Sequence, residues 1–114
     1  MISEHLLNPK EFYSDYMLPS CAFNDKSYDN QYWQGAVWGS LNFLVYLGLK
    51  EYDSKAAEEL ADKSYRMYSN AWEKHGAIFE NINSQKGVEN RKDQLNSDPF
   101  YHWGALMGIM IFME

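Results

Sequence analysis

Apolar residues recur along this chain in two ways. From Ser40 to about Tyr52 they fall on nearly every side of a helix: Leu41, Phe43, Leu44, Val45, Tyr46, Leu47 and Leu49. From Lys55 to about Lys74 they form one stripe: Ala56, Ala57, Leu60, Ala61, Tyr65, Tyr68, Ala71 and Trp72. Glu58, Glu59, Asp62, Lys63, Arg66 and Glu73 lie mostly outside that stripe. The first pattern predicts a helix covered all round, the second a helix with one face in water. A stretch ending near Phe112 is again apolar nearly all round, through Phe100, Trp103, Ala105, Leu106, Met107, Ile109, Met110 and Ile111.

Local signals place the ends of these elements. Ser40 is a candidate N-cap for the first helix, and Asp53 or Ser54 for the second. Gly76 suits the position just past a helix end, behind Lys74 and His75. Ser97 or Asp98 is expected to cap the last helix, with Pro99 in its first turn. Ile2 to Tyr16 is read as helical, broken or restarted by Pro9 near Asn8. Met17 to Gly39 loses periodicity and is punctuated by Pro19, Asn24, Asp25, Asp29, Asn30 and Gly35, as a long loop would be. Ala77 to Asn83 reads as a short extended segment, and Ser84 to Asn96 as polar and irregular.

The short turn between helices 40–52 and 55–74 makes them antiparallel neighbours. The loop before the first and the loop after the second therefore meet at one end. That end gathers Trp33, Trp38, Glu80, Asn81, Asn83 and Asp98, and function is expected there. The helices alternate between covered and one-sided, the pattern of a two-layer helical ring. So few helices cannot close such a ring, so the inner ones are expected to show apolar faces to water unless another chain covers them.

Composition narrows the functional classes. The 114 residues suffice for one unit, with no repeat or linker. The formal net charge of -6 argues against a phosphate-binding nucleic-acid surface and against attachment to anionic lipid. The apolar run from Gly104 to Met113 is too short to span a bilayer. MISEHLLNPK lacks the features of a signal peptide, which weakly favours the cytoplasm. Cys21 stands alone, so neither an internal disulfide nor a CxxC site is available. His75 and His102 are far apart with no companion cysteine, so no metal and no cofactor are expected. Asp25 and Asp29 lack the spacing of a calcium loop and read as turn residues.

Two segments carry candidate chemistry. Glu80, in IFENIN, lies between apolar Ile78–Phe79 and the amides Asn81 and Asn83. Such a carboxylate is a candidate general acid or base, or simply a solvated loop residue. YWQGAVW holds Trp33 and Trp38 on a loop, where indole faces stack on the C–H face of a sugar or plug the end of the helices as core. Asp98 reads as a helix-capping acid.

The motifs LPS-x-A-x-x-D-x-S-Y-D-x-x-YW-x-G-x-VW, LNFLVYLGL, HGAIFENIN and SDPFYHWGAL resemble the C-terminal part of glycoside hydrolase family 63. The resemblance reaches to the processing α-glucosidases and mannosylglycerate hydrolases of that group. It covers about His5 to Ile111. It implies an all-α fold, part of an (α/α)6 barrel of antiparallel helical hairpins with long loops at one end. Residues 1–114 would be a single unit, the C-terminal fragment of such a catalytic domain. The implied reaction is hydrolysis of an α-linked glycoside with inversion, by an acid and a base about 6.5–9.5 Å apart. By resemblance Glu80 is the base, and Tyr32, Trp33, Gln34, Gly35, Trp38 and Asn81 contact the sugar. Gln34 stands where the family has Arg, and Gly39–Ser40 where Pro-Pro is common. The family's acid belongs to an earlier part of the barrel that this chain lacks, so the chain is expected to be silent alone. The implied partners are an α-linked oligosaccharide and, over the inner helices, a second copy or a complementing chain. A non-catalytic carbohydrate-binding or oligomerising helical module is the alternative.

Overall fold

Asp53 makes the sharpest corner of the molecule. The computed structural model describes residues 1–87, 97–99 and 102–114. Helix α1, Gly39–Tyr52, ends where the Asp53 amide donates to the Leu49 carbonyl at 2.7 Å. Helix α2, Ser54–His75, begins where the Asp53 carboxylate accepts the Ala56 amide at 3.1 Å. One residue thus stops one helix and caps the next, which leaves the two no option but to fold back on each other. At the far end of α2, Gly76 takes the left-handed conformation at φ 62°, and its amide donates to the Trp72 carbonyl at 2.7 Å.

Helix α3, His102–Ile109, packs against both α1 and α2 and runs on as a 3-10 turn over Met110–Met113. Ser64 Oγ of α2 donates to the Met107 carbonyl at 2.7 Å, and Tyr46 of α1 donates to that of Met110 at 3.2 Å. The core between the three helices holds Tyr46, Leu49, Leu60, Met67, Met107 and Met110, joined by Met17, Val37 and Ile82 from the loops. The first half of the predicted α2 stripe, Ala56, Ala57, Leu60 and Ala61, is buried; further on the buried face passes to Lys63, Ser64 and Met67, leaving Tyr65 and Trp72 exposed.

Helix α1 is covered on one side only. Asn42, Tyr46 and Leu49 face the core, whereas Leu41, Leu44 and Leu47 are 37%, 65% and 38% exposed. Ile109 and Phe112 are also open to water. These bare apolar faces are what the all-round pattern of the inner helices implies for so few helices.

Three local expectations are corrected. Ile2–Leu6 forms a single π turn rather than the start of a long helix. Asn8 then takes over: its carbonyl accepts the amides of Glu11 and Phe12, and its Oδ1 that of Lys10, so no helix resumes after Pro9. Ser40 is not a cap, because Trp38 is extended and leads directly into α1 at Gly39. Pro99 does not sit in a helical turn either: it bridges Phe79 while the Ser97 hydroxyl bonds Asn81, and the described part of α3 is His102–Ile109. The place of Phe100 and of the polar stretch 88–96 lies outside the described residues.

Candidate active site

A small antiparallel sheet closes the loop end of the helices. Strand β1, Val37–Trp38, pairs with β2, Asn81–Ile82, placing Val37 opposite Ile82 and Trp38 opposite Asn81. Pro19 bridges Val37 on the outer side of β1. On the other side of β2, Ser97–Pro99 runs antiparallel to residues 79–81. Glu80 N donates to Asp98 O at 3.1 Å, and Ser97 Oγ bonds both the Asn81 carbonyl at 2.6 Å and its amide at 3.2 Å. Of the extended segment expected at 77–83, Asn81–Ile82 is strand and Phe79 a bridge residue, so it is paired on both edges over 79–82 and bends at Ala77 and Glu80.

The aromatic loop is folded on strained backbone. Asn30 and Tyr32 take positive φ, at 62° and 43°, around a tight turn in which the Gln34 amide donates to the Gln31 carbonyl at 2.7 Å. The Gln34 carbonyl then accepts the amides of Asp29 and Asn30. Gly35 sits at φ 122°, and a Cβ there would lie 2.4 Å from the Tyr28 ring, so only glycine fits. This turn lays Trp33 flat on Trp38, with ring centroids 3.8 Å apart and planes 2° apart. Tyr32 meets Trp38 edge-on at 5.0 Å, and Trp103 of α3 meets it at 6.1 Å.

These contacts divide the labour among the aromatics. Trp38 is fully buried, and its Nε1 donates to the Tyr32 carbonyl at 2.9 Å. It has no face left for a ligand and serves as the platform under Trp33. Tyr32, Trp33 and Trp103 are the rings open to solvent, each a little over 40% exposed. Gln34 is exposed at the turn, Gly35 is buried beneath it, and Asn81 is buried across from Trp38.

Glu80 is half-buried at the same end. Burial, and then the negative charge of Asp98, hold its carboxyl above the usual carboxylate range. Asn81 stands opposite Trp38, and Glu80, through its amide bond to the Asp98 carbonyl, stands beside Asp98. The structure thus brings Glu80, Asn81 and the aromatic loop together at one sheet, with Trp38 and Asn81 on adjoining strands and Glu80 immediately before β2.

A polar hub joins the two loops. Asn30 Nδ2 donates to Asn83 Oδ1 at 2.8 Å, and Asn30 Oδ1 accepts both the Ser84 amide at 2.9 Å and its hydroxyl at 2.8 Å. The Tyr28 hydroxyl lies 3.0 Å from Ser84 Oγ. Neither Asn30 nor Ser84 stands out in sequence, where each reads as a loop residue. The one available signal was the excess of small amides near two turn-rich segments. Trp103, read only as a helix residue, joins the cluster through packing. A cleft of about 560 Å³ lies elsewhere, between Asp15–Tyr16, α2 and Lys86–Gly87. Among the described residues no group of His, Cys, Asp and Glu is arranged to hold a metal, and no helix is long and apolar enough to cross a membrane.

Residues 1–103 match the model of the mannosylglycerate hydrolase MGH1-like glycoside hydrolase domain. The chain belongs to this family. No curated protein matches it. An uncharacterized conserved protein from Thermus thermophilus has a similar structure, with a TM-score of 0.62 at 19% identity. That similarity, which concerns the fold, covers 91% of this chain and 23% of the other, so the chain spans under a quarter of its relative's length.

Membership in the MGH1-like family sharpens two sequence departures. Gly39 sits where a Cβ would come within 2.5 Å of the Trp103 carbonyl oxygen, so proline is excluded there by the packing of α1 on α3. Gln34 is held by its backbone in the turn and is exposed, so the fold itself does not require a charged side chain there.

Proposed function

We propose that this chain furnishes the base-bearing segment of an inverting α-glycoside hydrolase, with Glu80 as the residue that activates water. The observation that carries the reading is the setting of Glu80. It is a half-buried carboxyl with raised proton affinity, one residue from the strand pair that supports an exposed aromatic platform. A general base is more effective as its pKa approaches the working pH. Trp33, backed by buried Trp38 and met edge-on by Tyr32, offers a flat face for a sugar ring.

The acid that would protonate the leaving oxygen belongs to the remainder of an (α/α)6 barrel, whose helices would cover Leu41, Leu44 and Leu47. Residues 1–114 are then one unit of that barrel, and its substrate is an α-linked glycoside of the mannosylglycerate type.

The test has two parts. Mannosylglycerate and methyl α-mannoside are titrated into the chain while indole fluorescence is recorded; the signal responds, and W33A abolishes the response. Turnover is then measured with the rest of the barrel supplied by co-expression. It is absent in the chain alone and present in the assembly, and E80Q lowers it by roughly 10²–10⁴-fold while leaving sugar binding intact. Turnover indifferent to E80Q, or indole fluorescence indifferent to every sugar, overturns the reading.

A further inference from the structure

The pairing next to Glu80 assigns work to a residue that reads in sequence as a helix cap. The bridge between Phe79 and Pro99 and the bond from Glu80 N to Asp98 O set one register. In that register residues 80 and 98 stand directly opposite. Side chains of directly opposed residues in an antiparallel pair project to the same side, about 5 Å apart at their Cα atoms. Like charges so placed repel, and proteins ordinarily avoid the arrangement without a use for it. Here the register is secured by Ser97, whose hydroxyl grips both backbone groups of Asn81.

We propose that Asp98 is a positioning residue for Glu80, a second carboxylate that the strand register sets across from it and that acts on water activation through it. This rests on Glu80 being the base. An inverting base must hold a water and take its proton, and a neighbouring negative charge strengthens that tendency without touching the sugar. The strand on its far side offers Val37, Trp38 and then Gly39. His75, at the end of α2, lies edge-on against Phe79 at 5.4 Å, and His102 lies at the described start of α3.

The experiment follows the Glu80 carboxyl carbon by NMR through a pH titration of the chain labelled with 13C-glutamate. The midpoint falls in D98N and D98A and returns towards its original position in D98E. E58Q, on the exposed side of α2, changes net charge equally and leaves the midpoint in place. Raising salt to about 1 M, where the screening length is about 3 Å, lowers the midpoint in the unsubstituted chain as well. A midpoint that ignores both D98N and salt overturns the proposal. The readout needs no turnover. A failure of the base assignment would appear separately, as hydrolysis indifferent to E80Q while the Glu80 midpoint still answers to Asp98.

Discussion

Two glycines receive the same methyl group with opposite results. Gly48 lies on the exposed side of α1, and a Cβ there meets nothing within 4 Å. Gly104 lies in α3 beneath the segment that carries Glu80, and a Cβ there would come 2.6 Å from the Phe79 carbonyl oxygen and 3.3 Å from its carbon. Alanine for glycine inside a helix is worth about 1 kcal/mol through backbone entropy, and both sites gain it. At Gly104 the added carbon must also displace backbone by about 0.8 Å to reach the shortest ordinary contact, near 3.4 Å. Phe79 cannot yield easily, being 1% exposed and tied to Pro99. Overpacking of this kind costs about 1–3 kcal/mol. The helix gain is common to both variants, so the difference between them isolates the clash. Urea denaturation of G48A and G104A should place them about 1–3 kcal/mol apart, with G48A above the parent by about 0.5–1 kcal/mol. G104A as stable as G48A would refute the claim that α3 bears directly on the Glu80 segment.

Three further outcomes are expected. N30A removes the acceptor of two bonds and the donor of a third, so it should cost roughly 1–3 kcal/mol and speed hydrogen exchange at the Ser84 amide before the helices respond. D53A should lower stability by about 1 kcal/mol through loss of the α2 cap, with D53N retaining most of it. The folded pKa of Glu80 is raised, so its ionisation works against folding: its contribution is fully present below the unfolded carboxylate range and lost as pH rises through the folded value. E80Q should therefore match the parent in acid and exceed it near neutral pH, in unfolding measured across that range; an advantage that grows on acidification would contradict the sign.

Much of the helical frame is legible in the chain because helix signals act over a few residues. Asp53 caps α2 through the amide three positions on, Gly76 ends it by its own freedom of φ, and the buried run Ala56, Ala57, Leu60 and Ala61 follows from one helical period. The bare side of α1 is legible too, since residues apolar all round need more neighbours than so few helices provide. Glu80 and the aromatic loop were identifiable as candidates, by their residue types and by likeness to a family.

Their working relations were not legible. Trp38 looks in sequence like Trp33, yet one is buried and the other open, because β1 pairs with β2 some forty residues away and turns the Trp38 ring inward. Ser97 and Asp98 carry the local signature of a cap. Their backbone and hydroxyl groups instead satisfy residues 80 and 81, a competition that only the approach of the two segments could decide. Asn30 becomes a hub for the same reason, since its partners Asn83 and Ser84 are distant along the chain. Sequence by itself settled the α1–α2 hairpin and the apolar, cover-seeking surface of α1, because those depend on neighbours within a turn or two. Tertiary structure alone decided which indole is platform and which is surface, and which carboxylate stands beside Glu80, because those depend on the register between segments that only the folded core brings together.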